Sequence, residues 1–225
     1  MATSGTHAFT LDIGEIIEEA YERIGVESRS GYDYRTARRS LDLLLLEWQN
    51  KGLNLWSVKQ GSQALTAGTA SYTLDPERLD VIEAYHRTGS GTSQSDSRLT
   101  RMSISTYSQL TTKNMQGTPN QYWIDRTPTD ITVTLWPVPQ AADTLIYHYI
   151  ERVEDTGKPG SNTVDVPARH LPALVAGLAY YLATKSPEKM AMVPVLREVY
   201  NEQWDLAADA SRDKSSLFLR PSASY

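Results

Sequence analysis

Apolar residues recur at helical spacing at both ends of this chain and alternate along short runs through its middle. Between Leu11 and Ile24, one stripe holds Ile13, Ile16, Ile17, Ala20, Tyr21 and Ile24. Glu15, Glu18, Glu19 and Glu22 fall outside it, which predicts an amphipathic helix. Asp12 followed by Glu15 has the spacing of a capping box, and Gly25 is placed to end the helix. A second helix is expected from about Tyr32 to Asn50, with Tyr34, Ala37, Leu41, Leu44, Leu45 and Trp48 as its main stripe. Leu43 and Leu46 lie off that stripe, so this helix is apolar on more than one side. A third runs from near Pro167 to about Lys185. Its stretch Leu171 to Ala183 carries no charge and no amide, is too short to span a bilayer, and so needs protein cover on most sides. The fourth opens at Ser186-Pro187 with Val193, Leu196, Tyr200, Gln203 and Ala207 on one face, and Pro194 should kink it or split off a first turn.

The middle reads as strands at Leu55–Leu65, Ser71–Leu74, Leu79–Thr88, Arg98–Met102, Gln121–Arg126, Asp130–Trp136 and Thr144–Val153. Thr127-Pro128-Thr129 is expected to close one hairpin, and Ala67-Gly68-Thr69 to form another turn. The small, polar run from Thr88 to Ser97 reads as a mobile loop tip, and Gly89, Ser90, Gly91 and Ser93 form its candidate contact surface. Ser103–Thr111 has room for a short helix. The expected class is α+β. A bundle of four main helices (11–52 and 167–213) carries an inserted antiparallel sandwich or barrel (53–166), after a flexible N-terminus (1–10) and before an extended C-terminal arm (214–225).

Composition narrows the function classes. The formal net charge of −5 argues against binding nucleic acid by bulk electrostatics. The absence of Cys excludes disulfides, thiolate metal sites and cysteine catalysis. Met1–Thr10 has neither a basic start nor an apolar run, and no window reaches the length of a membrane span. The expectation is a soluble protein that stays in the compartment where it is made, with no membrane partner.

Candidate chemistry is sparse. His7, His86, His148 and His170 have no second ligand at metal spacing, so they read as surface or structural residues, and no cofactor is expected. There is no G-x-S-x-G, and Gly89-Ser90-Gly91 lacks the strand–turn–helix setting of a phosphate loop. Arg35, Arg38 and Arg39 form a candidate basic face for DNA or an acidic partner, unless they pair with Asp42 and nearby carboxylates. Trp123 and Trp136 belong either in the β core or at a subunit contact. Leu217, Phe218 and Leu219, followed by Arg220 and Pro221, have no helical period. With Tyr225 they make the arm a candidate docking element laid on another surface, or alternatively folded back on its own bundle.

Several pieces in order resemble the head-to-tail adaptor (connector) proteins of tailed bacteriophages. They are Ser71-Tyr72-Thr73-Leu74-Asp75-Pro76 leading into Val81-Ile82-Glu83-Ala84-Tyr85, then Gly117-Thr118-Pro119 before Tyr122-Trp123, and Leu135-Trp136-Pro137-Val138-Pro139. Tyr147-His148-Tyr149 and Val164-Asp165-Val166-Pro167 before Leu174 to Ala179 complete the set, across roughly Leu11 to Ala210. One departure is Asp75, which separates Leu74 from Pro76 where the family pattern has Leu-Pro directly. The resemblance implies a structural virion protein without catalytic residues. It implies a dodecameric ring of self-associated copies beneath the portal ring, extending the DNA channel without sequence-specific binding and receiving a tail, nozzle or stopper protein. The implied location is the virion neck, after assembly in the host cytoplasm. Two other classes stay open: a β-module for a receptor or carbohydrate, which needs aromatics exposed on one sheet, and a hydrolase, which needs a pocket of perturbed titratable groups.

Overall fold

The computed structural model describes residues 5, 9, 11–27, 31–51, 55–157 and 162–210. The chain divides into two compact units, Met1–Leu55 with Glu154–Tyr225, and Trp56–Val153. The fold is α+β. Among the described residues there are five α-helices: α1 (Ile13–Arg23), α2 (Gly31–Asn50), α3 (Ile104–Gln109), α4 (Leu171–Ala183) and α5 (Val193–Ala210).

Four of these helices make the first unit. The Asp12–Glu15 capping box at the start of α1 is formed: Glu15 N donates to Asp12 Oδ1 (2.8 Å) and Asp12 N to Glu15 Oε2 (3.0 Å). At the other end Gly25 takes φ +65°, and Gly25 N and Val26 N close back on the carbonyls of Glu22 and Tyr21 (2.9 and 3.0 Å). That closure needs a left-handed residue, which glycine supplies without a Cβ penalty. Pro194 splits the last helical segment as expected: a 3-10 stretch, Pro187–Met192, precedes α5. The cover that α4 requires comes from this same chain, because α1, α2 and α5 all pack on it. Ten of its thirteen residues are buried. The chain returning from the second unit is pinned to α2, where Asp42 Oδ1 accepts from Thr156 N (3.0 Å) and Thr156 Oγ1 (2.7 Å).

The second unit holds ten strands: β1 (Val58–Ala64), β2 (Ser71–Leu74), β3 (Arg78–Thr88), β4 (Ser95–Arg98), β5 (Thr100–Arg101), β6 (Gln116–Gly117), β7 (Gln121–Arg126), β8 (Ile131–Trp136), β9 (Val138–Pro139) and β10 (Thr144–Glu151). They form two four-stranded sheets, ordered β1-β10-β3-β4 and β2-β8-β7-β5, and a two-stranded β6-β9 ladder. Pairing is antiparallel except for the two-residue β5–β7 and β6–β9 ladders. Leu65, Tyr72, Val81, Tyr122, Leu135 and Leu145, drawn from both sheets and the turn after β1, belong to one buried core.

The barrel alternative is corrected: both sheets stay open. Their outer strands resist further pairing, since β4 is wholly exposed with the sequence SDSR and β5 is two residues long. The strand expected at Arg98–Met102 is instead broken at Leu99. Leu99 N donates to Ala84 O (2.9 Å) and Met102 N to Tyr122 O (2.7 Å), so the chain changes sheets around this buried residue. Thr127 to Thr129 closes the β7–β8 hairpin as expected, with Thr127 N donating to Asp130 O at 2.9 Å. Ala67-Gly68-Thr69 does form a turn, but β1 and β2 belong to different sheets, so it makes no hairpin.

Candidate functional site

Within the helical unit, a polar cluster lies between α2, α4 and α5. Glu47 accepts from Tyr181 Oη (2.6 Å) and Tyr200 Oη (3.0 Å) and forms an ion pair with Lys51 (2.7 Å) one turn on. Tyr200 Oη also accepts from Trp48 Nε1 (2.9 Å) and Lys51 Nζ (2.8 Å). Burial pushes the Tyr181 and Tyr200 hydroxyls well above their ordinary pKa, and the Glu47 charge adds to this. Burial alone would raise Glu47, but hydrogen bonds from Lys51, Tyr181 and Tyr200 and the Lys51 charge bring it below its ordinary value. Each member has at least one partner on another helix or one turn away, so the cluster ties three helices together. The chain pattern gave one local clue to it, the Glu47–Lys51 spacing. The rest joins residues more than 130 positions apart.

The described histidines each sit against different partners. His86 is buried with Nε2 3.0 Å from Asp143 Oδ2, His148 lies edge-on to Tyr85, and His170 is buried beside Trp48 at the start of α4. His7 lies outside the described residues. Among the described residues, no three His, Cys, Asp or Glu side chains are grouped to hold a metal ion.

The three arginines of α2 do not share one face. Arg38 is half-buried and donates to Gly157 O (2.8 Å), while Arg35 and Arg39 are exposed. Asp42 is engaged with Thr156, and among the described residues none of the three arginines forms an ion pair. Arg35 and Arg39 share their side of α2 with Tyr32, Leu43 and Leu46, and the two leucines are 55% and 53% exposed. α5 has a comparable outer side, with Val195 and Leu206 61–62% exposed and Glu198, Glu202 and Asp205 beside them. The chain pattern had shown only the inner face of α5. A third surface is a groove of about 890 Å³ between α1 and α4, with Leu11, Leu171 and Val175 on its floor and Glu15, Glu18 and Glu22 on its rim.

In the β unit, Gly89, Ser90, Gly91 and Ser93 are exposed at the tip of the β3–β4 hairpin, where Ser93 Oγ donates to Ser90 O (2.9 Å). Trp123 stacks on Tyr107 of α3 (4.8 Å between rings), and Trp136 Nε1 donates to Thr112 O (3.1 Å). Both are half-buried beneath this short segment and lie outside the buried core. Among the described residues of the unit no Tyr or Trp is exposed, so the sheets present no aromatic platform of the kind that stacks on sugars. The proposed docking residues Leu217, Phe218, Leu219, Arg220 and Tyr225 lie outside the described residues.

The model of the SU10 adaptor protein family matches residues 8–221 of this chain. No curated protein matches it. The chain therefore belongs to the SU10 adaptor protein family, in agreement with the resemblance to phage head-to-tail adaptors, and is a structural phage protein.

Proposed function

We propose that this member of the SU10 adaptor family assembles as a ring beneath the portal of a tailed phage. There it extends the DNA channel and offers a platform to the next tail component, a nozzle or stopper protein. The observation that carries this reading is the division of labour in the helical unit. α4 is already covered by its own chain, yet α2 and α5 still present long outer sides mixing apolar and charged residues. A helix side of that composition serves protein contacts. In this reading α1, α2, α4 and α5 act as one bundle facing the portal side, and the β unit is its single insertion. The hairpin tip at Gly89–Ser93 faces the tail. Genome DNA passes without sequence-specific contact, and the net charge of −5 gives the chain no general attraction to its phosphates. That charge also opposes crowding many copies, so the isolated chain associates weakly and closes its ring on the portal as template. The arm from Ser215 to Tyr225 docks on the portal or on a neighbouring copy, burying Leu217, Phe218 and Leu219. The complex forms in the host cytoplasm and ends in the virion neck.

Co-sedimentation with the purified portal ring of the same phage tests this reading. The chain should move with the portal and saturate at a fixed number of copies per ring, while alone it sediments as a small species. A chain that never moves with the portal at any excess would refute it.

A further inference from the structure

Leu44 of α2 and Tyr200 of α5 both reach Gly177 of α4. The sides of α2 and α5 opposite these contacts therefore point away from the same central helix. On α2 the exposed positions Tyr32, Arg35, Arg39, Leu43, Leu46 and Asn50 follow the three-and-four spacing of a single helix face. On α5, Val195, Val199, Glu202 and Leu206 do the same, with Glu198 and Asp205 on one flank. The two faces differ in charge and order. Along α2 the basic residues come first and the leucines last, whereas along α5 the valines come first and the acidic residues concentrate after them.

We infer that the outer face of α2 on one copy packs antiparallel on the outer face of α5 on the next copy. In that direction Leu46 meets Val195, Leu43 meets Val199, Arg39 meets Glu202, and Arg35 meets the end of α5 that carries Asp205 and Leu206. A parallel arrangement would set Arg35 and Arg39 against Val195 and Val199, and Leu43 against Glu202. Self-pairing fares worse. Two α2 faces would place arginines against arginines or leave them buried against leucines, and two α5 faces would oppose Glu202 to Glu202 when parallel or set it against Val199 when antiparallel. DNA is excluded as the common partner, since only one of the two faces is basic. Because the matching faces are different surfaces of the same molecule, the contact is head-to-tail, the kind of contact that closes a ring when the rotation between copies divides a full turn. This inference rests on the ring reading above and supplies its subunit interface.

The chain has no Cys, so introduced thiols report the contact cleanly. Chains carrying Leu43→Cys and chains carrying Val199→Cys are mixed, alone and with the portal ring, then joined by oxidation or by a short bis-maleimide. The mixture should yield cross-linked pairs of the two variants while neither variant alone cross-links, and a chain with both changes should give a ladder ending in a closed species. Arg39→Glu should lower the yield by about tenfold, and Glu202→Arg on the neighbouring copy should restore it. Rings seen on the portal without the mixed cross-link, or a single variant cross-linking to itself, would overturn this interface and leave the ring reading standing. No multimer in either condition would overturn both.

Discussion

Gly177 is where α2, α4 and α5 converge, and replacing it tests whether their spacing is fixed by contact. A Cβ at this position would lie 2.8 Å from Leu44 Cδ2 and 2.9 Å from Tyr200 Cε2. Neither neighbour can yield easily. Leu44 is fully buried, and Tyr200 is held by hydrogen bonds to Trp48, Lys51 and Glu47. Helix propensity favours Ala over Gly by about 1 kcal/mol, whereas overpacking a core costs roughly 1–3 kcal/mol. Gly177→Ala should therefore destabilise by about 1 kcal/mol, lowering the thermal midpoint by roughly 2–4 °C in a chain of this size. Gly177→Val adds an isopropyl group, two methyls and a β-branch beyond Ala, and should cost about 3 kcal/mol. Thermal unfolding followed by circular dichroism at the helix band measures both. In a Leu44→Ala background the added methyl fills space, so Gly177→Ala should become favourable, with a coupling on the order of 1 kcal/mol. A Gly177→Ala chain that melts higher than the parent, with no coupling to Leu44→Ala, would refute the close-packed junction.

Two further outcomes follow from the structure and a third from the sequence of the arm. His170 has its pKa pushed down to about 4, chiefly by burial and then by Arg169, from an ordinary 6.5. The unfolded chain thus takes up a proton near pH 6.5 that the folded chain refuses until about pH 4. Stability should fall as pH drops through that window, by about 2 kcal/mol at pH 5. Urea midpoints at pH 7 and pH 5 should show the loss in the parent and a smaller one in His170→Gln, and equal losses in both would contradict the assignment. Tyr200→Phe removes one hydroxyl from Trp48, Lys51 and Glu47 together and should cost about 1–3 kcal/mol, read as a lower urea midpoint. An unchanged midpoint would mean that the cluster is not a lock. Removing Ser215–Tyr225 should leave the thermal transition nearly unchanged and abolish co-sedimentation with the portal. Normal attachment, or a large loss of stability, would rule out the arm as a docking element.

The local signals in the chain were sound where the chain itself decides the outcome. The capping box at Asp12, the stop at Gly25, the break at Pro194 and the Thr127–Thr129 hairpin all depend on residues within a few positions of each other. The uncharged stretch of α4 correctly demanded cover, but the pattern could not say whether that cover came from the same chain. Strand partners were less legible. β1 pairs with β10 across the whole unit and not with β2, and Leu99 divides what looked like one strand between two sheets. Closure into a barrel depends on how the outer strands end, which alternation does not encode. The Glu47–Tyr181–Tyr200 cluster and the outer side of α5 needed the tertiary fold. Val195, Val199 and Leu206 look like ordinary helix residues until the opposite face is seen packed.

Direct imaging of the purified chain mixed with its portal ring, by electron cryomicroscopy, tests the central claim most directly. The account predicts a closed ring of copies beneath the portal, coaxial with its channel. Single copies scattered on the portal, or portals with no added density at saturating chain, would contradict it.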